Sequence, residues 1–318
     1  MSGGFVPNLL PGLAARRART GLGLVTFALP LLFFVALSIG APEFLGFANL
    51  ANVNSQITAL LIVSLGQLLV ALSAGVDLSV GSMLSLTSAI LVGVDPGLAV
   101  PLALLAGLAV GLANGIGVAV FGVHPLVMTL AMMTFLQGLA LLVSPVPGGD
   151  VPDWLEAVVR FDLAGLPGAF FWCLAVVAGM ALLLHRTRFG LRIFALGANA
   201  ESAALNGIAV VAPQIACYVI CSLFAVLAGM FLSARVATGD PTMGMPFALE
   251  SVTAIALGGV QLAGGIGSVT GVVFGVLTLG LMTNGMNLVG ISPFIRAATT
   301  GVLLLLAISL QRRRFIGV

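Results

Sequence analysis

The sequence predicts an all-α polytopic membrane protein, and three observations carry that prediction. Of its 318 residues, 60% are hydrophobic and only 7% charged, with a mean hydropathy of +1.23, whereas a soluble domain is about 25% charged. Apolar runs long enough to cross a hydrocarbon core of about 30 Å recur along the whole chain, with no polar stretch large enough for a separate soluble domain. The 12 basic residues are all arginine, and most of them cluster beside such runs.

Taken in order, hydropathy and helix breakers give ten helices: residues 21–40, 52–74, 77–93, 98–121, 125–144, 168–185, 213–234, 247–261, 268–288 and 294–310. Together they make one transmembrane domain over 21–311, with short tails at 1–20 and 312–318. The first run, preceded by Arg16, Arg17 and Arg19, resembles a signal peptide, but its length and the spans behind it predict an uncleaved helix. The third and eighth segments are short. They predict broken or partly re-entrant helices, tolerated where neighbouring protein or a water-filled cavity satisfies the freed backbone groups.

Charge sets the orientation. Arg16, Arg17 and Arg19, then Arg186, Arg188 and Arg192, then Arg312, Arg313 and Arg314 are expected on the cytoplasmic side. Asp150, Asp153, Glu156 and Asp162 share the loop 145–167 with only Arg160, which suits the far side. An even number of spans with both termini cytoplasmic meets all of these conditions.

Several function classes drop out. A net charge of +2 without a basic patch argues against nucleic acid as a partner. Cys217 and Cys221 stand four apart without a third ligand, and with Cys173 they are expected to pack inside spans rather than hold a metal. His124 and His185 have neither metal-ligand spacing nor a carboxylate neighbour. A phosphate-binding GxxxxGK[ST] loop is absent, as are HExxH and GxSxG. The chain therefore shows no engine of its own, and no catalytic residue, cofactor or metal is expected on it.

Within the spans, Gly107, Gly111 and Gly115 recur every four residues, as do Gly267, Gly271 and Gly275, and both stripes predict close helix packing. Asp77, in AGVDLSVGS between two apolar runs, is costly at membrane depth. Two roles are open to it: capping the helix that follows the break, or taking part in solute passage or gating. Gln67, Gln137, Asn114 and Asn284 are amides in apolar spans, suited to interhelical bonding or to lining a polar path. A trace of repetition links AGVDLSVGS with GGVQLAGGIGS from Gly258, and ANGIGVAVFGVHPLV from Ala113 with TNGMNLVGISPFI from Thr283, as in transporters built from two related halves. The most distinctive polar segment is the loop 186–212. It holds a predicted short helix from Asn199 to Leu205, with Asn199 as N-cap, Glu201 in the first turn and Gly207 as the stop.

GVDLSVGS, the NG pair before HPLVMTLAMMTFLQGLALL, the loop TRFGLRIFALGANAESAALNGI, and ALGGVQLAGGIGSVTG with MTNGMNLVGISPF resemble, in that order, the membrane subunits of bacterial ABC importers for ribose, xylose, galactose and related monosaccharides. The resemblance runs from about residue 50 to residue 310. It implies a roughly ten-helix inner-membrane permease that pairs with a second copy or a paralogue. A separate ATPase, commonly two domains in one polypeptide, would use ATP and Mg, and a periplasmic binding protein would deliver the sugar. It further implies that the loop holding Arg188, Gly190, Gly197, Asn199, Glu201, Ala204 and Gly207 is the coupling segment docked on that ATPase. Gln67, Asp77, Asn114 and Asn284 are the candidates for lining or gating a path, beside capping for Asp77 and interhelical bonding, the commoner use, for the amides. Relatives in the superfamily carry branched-chain amino acids or a signalling furanone. Rival readings are an ion-coupled secondary transporter using Asp77, with Glu250 and Arg296 less central, a passive channel, or a membrane enzyme.

Overall fold

The computed structural model describes residues 26–310. The tails, residues 21–25 of the first expected helix, and the arginine clusters at 16–19 and 312–314 lie outside the described residues. All ten expected segments fall on helices: α1 (Thr26–Gly40), α2 (Phe47–Leu72), α3 (Ser79–Gly93), α4 (Pro96–Ala119), α5 (Pro125–Val143), α7 (Gly168–Arg186), α10 (Val211–Val236), α11 (Met245–Leu257), α12 (Val269–Leu288) and α13 (Pro293–Leu310). Six of them, α2, α4, α5, α7, α10 and α12, are long and apolar enough to cross a membrane, while α1, α3, α11 and α13 are shorter apolar helices.

Four elements were not expected: α6 (Asp153–Arg160), the hairpin strands β1 (Asp162–Leu163) and β2 (Leu166–Pro167), and α8 (Arg188–Ala198). α6 escapes a hydropathy reading because its apolar residues form a stripe, with Leu155 and Val159 buried and Asp153, Glu156 and Arg160 closing its polar face. The eighth segment ends earlier than expected, at Leu257, because Gly258 and then Gly259, at φ 76°, turn the chain out of the helix.

α2 is the hub. It is apolar all round, and every residue from Ile57 to Leu72 is buried, as a helix enclosed by other helices requires. α10, α11, α12 and α7 pack around it, while α4 and α5 turn large apolar side chains outward at Leu105, Phe135 and Leu142. The α4 glycines form the seam with α10: a Cβ on Gly107 would lie 2.6 Å from Val226 Cγ2, on Gly111 2.5 Å from Val219 Cα, and on Gly115 2.8 Å from Ile215 Cα. In the second stripe Gly275 presses on the Ala254 carbonyl of α11 and Gly271 on the Gly258 carbonyl just beyond it. Gly267 precedes α12 and rests on Leu68, Leu72 and Val260 side chains instead.

Between α2 and α3 the chain breaks without leaving the protein. Ala74 takes a left-handed φ of 64°, and Gly75 N–H returns to the Val70 carbonyl at 2.9 Å. Gly75 is required here, because a Cβ would meet the Tyr218 hydroxyl at 2.5 Å. The Asp77 carboxylate then accepts the Ser79 N–H at 2.9 Å and the Ser79 hydroxyl at 2.6 Å, satisfying a donor at the start of α3 as a helix cap does.

The two loops of opposite charge lie at opposite ends of the bundle. In the acidic loop Gly148 N–H bonds the Gly239 carbonyl just beyond α10, and Gly149 lies against Val92 near the end of α3. Arg235, at the same end of α10, donates to Asn52 near the start of α2. In the arginine loop α8 instead meets the other end of α2, at Leu72.

Two predictions follow from this packing. Gly111→Ala should lower thermal stability by about 1–3 kcal/mol, the usual cost of overpacking, while Gly138→Ala, whose new Cβ meets nothing within 4 Å, should be neutral or slightly stabilising; equal melting shifts would refute the seam. Asp77→Asn, which keeps an acceptor for Ser79, should be milder in melting temperature and in transport than Asp77→Leu, which loses a cap contributing about 0.5–2 kcal/mol. Equal severity would assign the effect to the charge.

Candidate functional site

At the arginine-loop end the expected short helix is α9 (Ala200–Leu205), and it forms a helical hook with the unexpected α8 before it. Thr187 caps α8 through Gly190 N–H, and Asn199 caps α9 by accepting Ser202 N–H at 2.8 Å. Gly207 ends the hook at φ 76°. Along α9 only Ala203 is buried. Glu201, Ala204 and Gly207 are exposed, and Leu205 is 83% exposed.

The base of the hook is wedged where both helix breaks meet. A Cβ on Gly197 would collide with the Leu72 carbonyl and lie 2.5 Å from Gly265 N. Gly265 N–H donates to that same Leu72 carbonyl at 3.0 Å. Gly264, at φ 91°, sits so close that a Cβ there would be 2.8 Å from both Ala74 Cβ and the Gly197 carbonyl. Thus the two similar segments, AGVDLSVGS and GGVQLAGGIGS, each link two helices, and they touch one another and the end of α8 through their main chains.

Three of the four path candidates come together, and all three are sealed. Gln67, with its amide turned to satisfy both groups, exchanges two bonds of 3.1 Å with the Asp77 backbone N–H and carbonyl, replacing partners that an unbroken helix would supply. Asn114 donates to the Ser79 hydroxyl at 2.9 Å, and that hydroxyl in turn donates to Asp77. All three side chains are fully buried. Asn284 lies apart from them, in a reciprocal pair with Asn49 at 2.9 and 3.2 Å. Gln137 donates to the Pro241 carbonyl at 2.9 Å. In this conformation none of these amides, nor Asp77, borders the polar cavity described next.

That cavity, of about 370 Å³, opens among five helices at the acidic-loop end. Each helix contributes a stripe at helical spacing: Gln56 and Leu60 from α2, Leu232 and Arg235 from α10, Pro246, Phe247 and Glu250 from α11, Thr283 and Asn287 from α12, Arg296 and Thr300 from α13. Arg235 donates to Asn52 at 3.2 Å and Arg296 to Asn287 at 3.4 Å. Sequence reading gave Glu250 and Arg296 only a secondary place and passed over Arg235 and Gln56. The signal was present in the charge itself: three ionisable residues inside apolar helices are expected to border water or solute.

Against known proteins, the family model described as "Branched-chain amino acid transport system / permease component" matches residues 49–308. The chain is 36% identical over 298 residues to the ribose import permease protein of Escherichia coli, covering 89% of this chain and 92% of that one. Its identity to the Bacillus subtilis ribose import permease protein is 33% over 288 residues, 88% and 89% of the two chains. The L-arabinose transport system permease protein of Escherichia coli is 35% identical over 297 residues, 91% and 89%. No solved structure matches. With a family match running from α2 to α13 and sugar permeases of similar length, the chain belongs to the permease subunits of bacterial sugar ABC importers, multi-pass proteins of the inner membrane.

Proposed function

We propose that this chain forms the translocation path for a monosaccharide, a ribose-like pentose or a hexose, in an importer whose energy comes from a separate ATPase. The observation that carries the proposal is the hook at the arginine-loop end. Its outer helix α9 presents an exposed leucine and an acidic first turn to a partner, while its base rests on the main chain of both helix breaks. Positive-inside reasoning puts this end in the cytoplasm, with ten spans, both termini cytoplasmic, and the cavity on the periplasmic side.

On this reading the cytoplasmic ATPase binds ATP and Mg, and this chain binds neither. A periplasmic binding protein brings sugar to the acidic-loop end, and a second permease, identical or paralogous, completes the membrane pair. ATP binding moves the hooks, and the hooks move the breaks. A loaded binding protein drives the cycle only by its differential affinity for the states so exposed. Sugar is favoured over a branched-chain amino acid by the ribose and L-arabinose permeases among the relatives.

Tagged full-length protein, solubilised gently from its native membrane, should bring down an ABC ATPase subunit; recovery without one after crosslinking would defeat the proposal. Glu201→Arg and Leu205→Asp should each weaken that association by about ten-fold or more, as loss of a well-buried interface contact does, and abolish ATP-dependent uptake with the protein still inserted. Normal association and uptake in both variants would move the docking surface elsewhere.

A further inference from the structure

We infer that the cavity at the acidic-loop end is a binding station for one neutral polyhydroxylated solute, held between the Glu250 carboxylate and the Arg235 and Arg296 guanidiniums. The inference rests on the sugar-permease reading and deepens it, because it shifts recognition away from the sealed group around Asp77.

The Glu250 carboxylate makes no ion pair with either guanidinium of the cavity. Among the described residues no basic nitrogen lies within 4.0 Å of the Glu250 carboxylate, the ion pair found there being Arg160–Glu156. Each guanidinium bonds one amide oxygen, Asn52 or Asn287, and a guanidinium carries five N–H donors, so further donors of each are available to a solute in the cavity. The Gln56 side-chain oxygen is buried without a partner. A buried acceptor left unmade is costly, and carboxylate and guanidinium groups inside apolar helices are costlier still. A solute that fills those valences offsets both.

The chemistry selects the class. A hydroxyl both donates and accepts: it can donate to Glu250 or Gln56 while accepting from Arg235 or Arg296. Adjacent hydroxyls on one ring can therefore bridge the carboxylate and a guanidinium at once. Phe247, on the same face of α11 as Glu250, offers a ring to the C–H face of a sugar. A simple cation would leave both arginines unused, and a simple anion would leave Glu250 opposed. The volume is in the range of small-molecule sites, about 300–1,000 Å³.

The test uses cells carrying the full chain with its co-isolated ATPase and binding protein, and measures initial uptake of radiolabelled D-ribose and L-arabinose. Glu250→Gln and Arg296→Gln are expected to raise the half-saturation concentration or lower the rate by roughly ten- to a hundred-fold, the loss that follows removal of a charge-assisted hydrogen bond, with surface level and ATPase association unchanged. As a second measurement, Thr283→Cys in the otherwise unaltered chain should react with a membrane-impermeant thiol reagent from the acidic-loop side, and the transported sugar should slow that reaction. Wild-type uptake of either sugar with both charge variants unimpaired overturns the station and leaves the permease reading intact. An unreactive Thr283→Cys in transport-competent protein overturns it as well. If the wild-type assembly hydrolyses ATP yet carries neither sugar, and neither sugar protects Thr283→Cys, the sugar reading fails and the station falls with it.

Discussion

A chain broken inside a closely packed helix bundle must satisfy every peptide group that the break frees, and the architecture of this permease depends on how it meets that demand. The α2–α3 break is buried, and each buried group left unmet costs several kcal/mol. At the α2–α3 break three side chains from three places in the sequence take over. Gln67 stands in for a peptide against the Asp77 backbone, Asp77 caps through Ser79, and Asn114 holds the Ser79 hydroxyl from α4. The aspartate that looks anomalous in the sequence is thus one of the groups that make the interruption affordable.

At the second break, between α11 and α12, the loop bonds to the first break as well as to itself: Gly265 N–H reaches the Leu72 carbonyl and Gln261 N–H the Ile266 carbonyl. Satisfaction of the backbone therefore ties the two breaks together at one end, and α8 is inserted into the same junction at Gly197. The N-terminal parts of α2 and α11 and the C-terminal part of α12, the ends away from that junction, converge on the charged cavity. One set of helices carries the hook's junction at one end and the polar cavity at the other.

Much of this was legible in sequence because it is written in period and composition. The ten apolar runs, the glycine seam of α4, and the α9 hook with Asn199 and Gly207 each have a local signature. What was not legible is tertiary. Gln67 and Asn114 read as amides suited to interhelical bonding or to a path, and nothing local says that both serve one break. Glu250, Arg235 and Arg296 are 15 and 46 residues apart along the chain, and only the crossing of α10, α11 and α13 brings them to one cavity. α8 and α6 were missed because their hydropathy averages out, although their faces are distinct.

The way the junction is built bears on how motion could cross the membrane. Contacts between side chains can repack by changing rotamers, so a displacement is absorbed locally. At Gly197, Gly264 and Gly265 main chain rests on main chain, with no room for a Cβ, and there are no rotamers to absorb a shift. A movement of α8 must then pass to the end of α2 and to the loop before α12 together. From Leu72 to Gln56, α2 runs uninterrupted for about 24 Å at 1.5 Å per residue, buried throughout from Ile57 onward, and a closely packed helix moves as a body rather than bending. The stiffness that glycine removes from an isolated chain is restored here by contact, which makes the least bulky residue in the sequence a suitable one for transmitting force between the hook and the cavity.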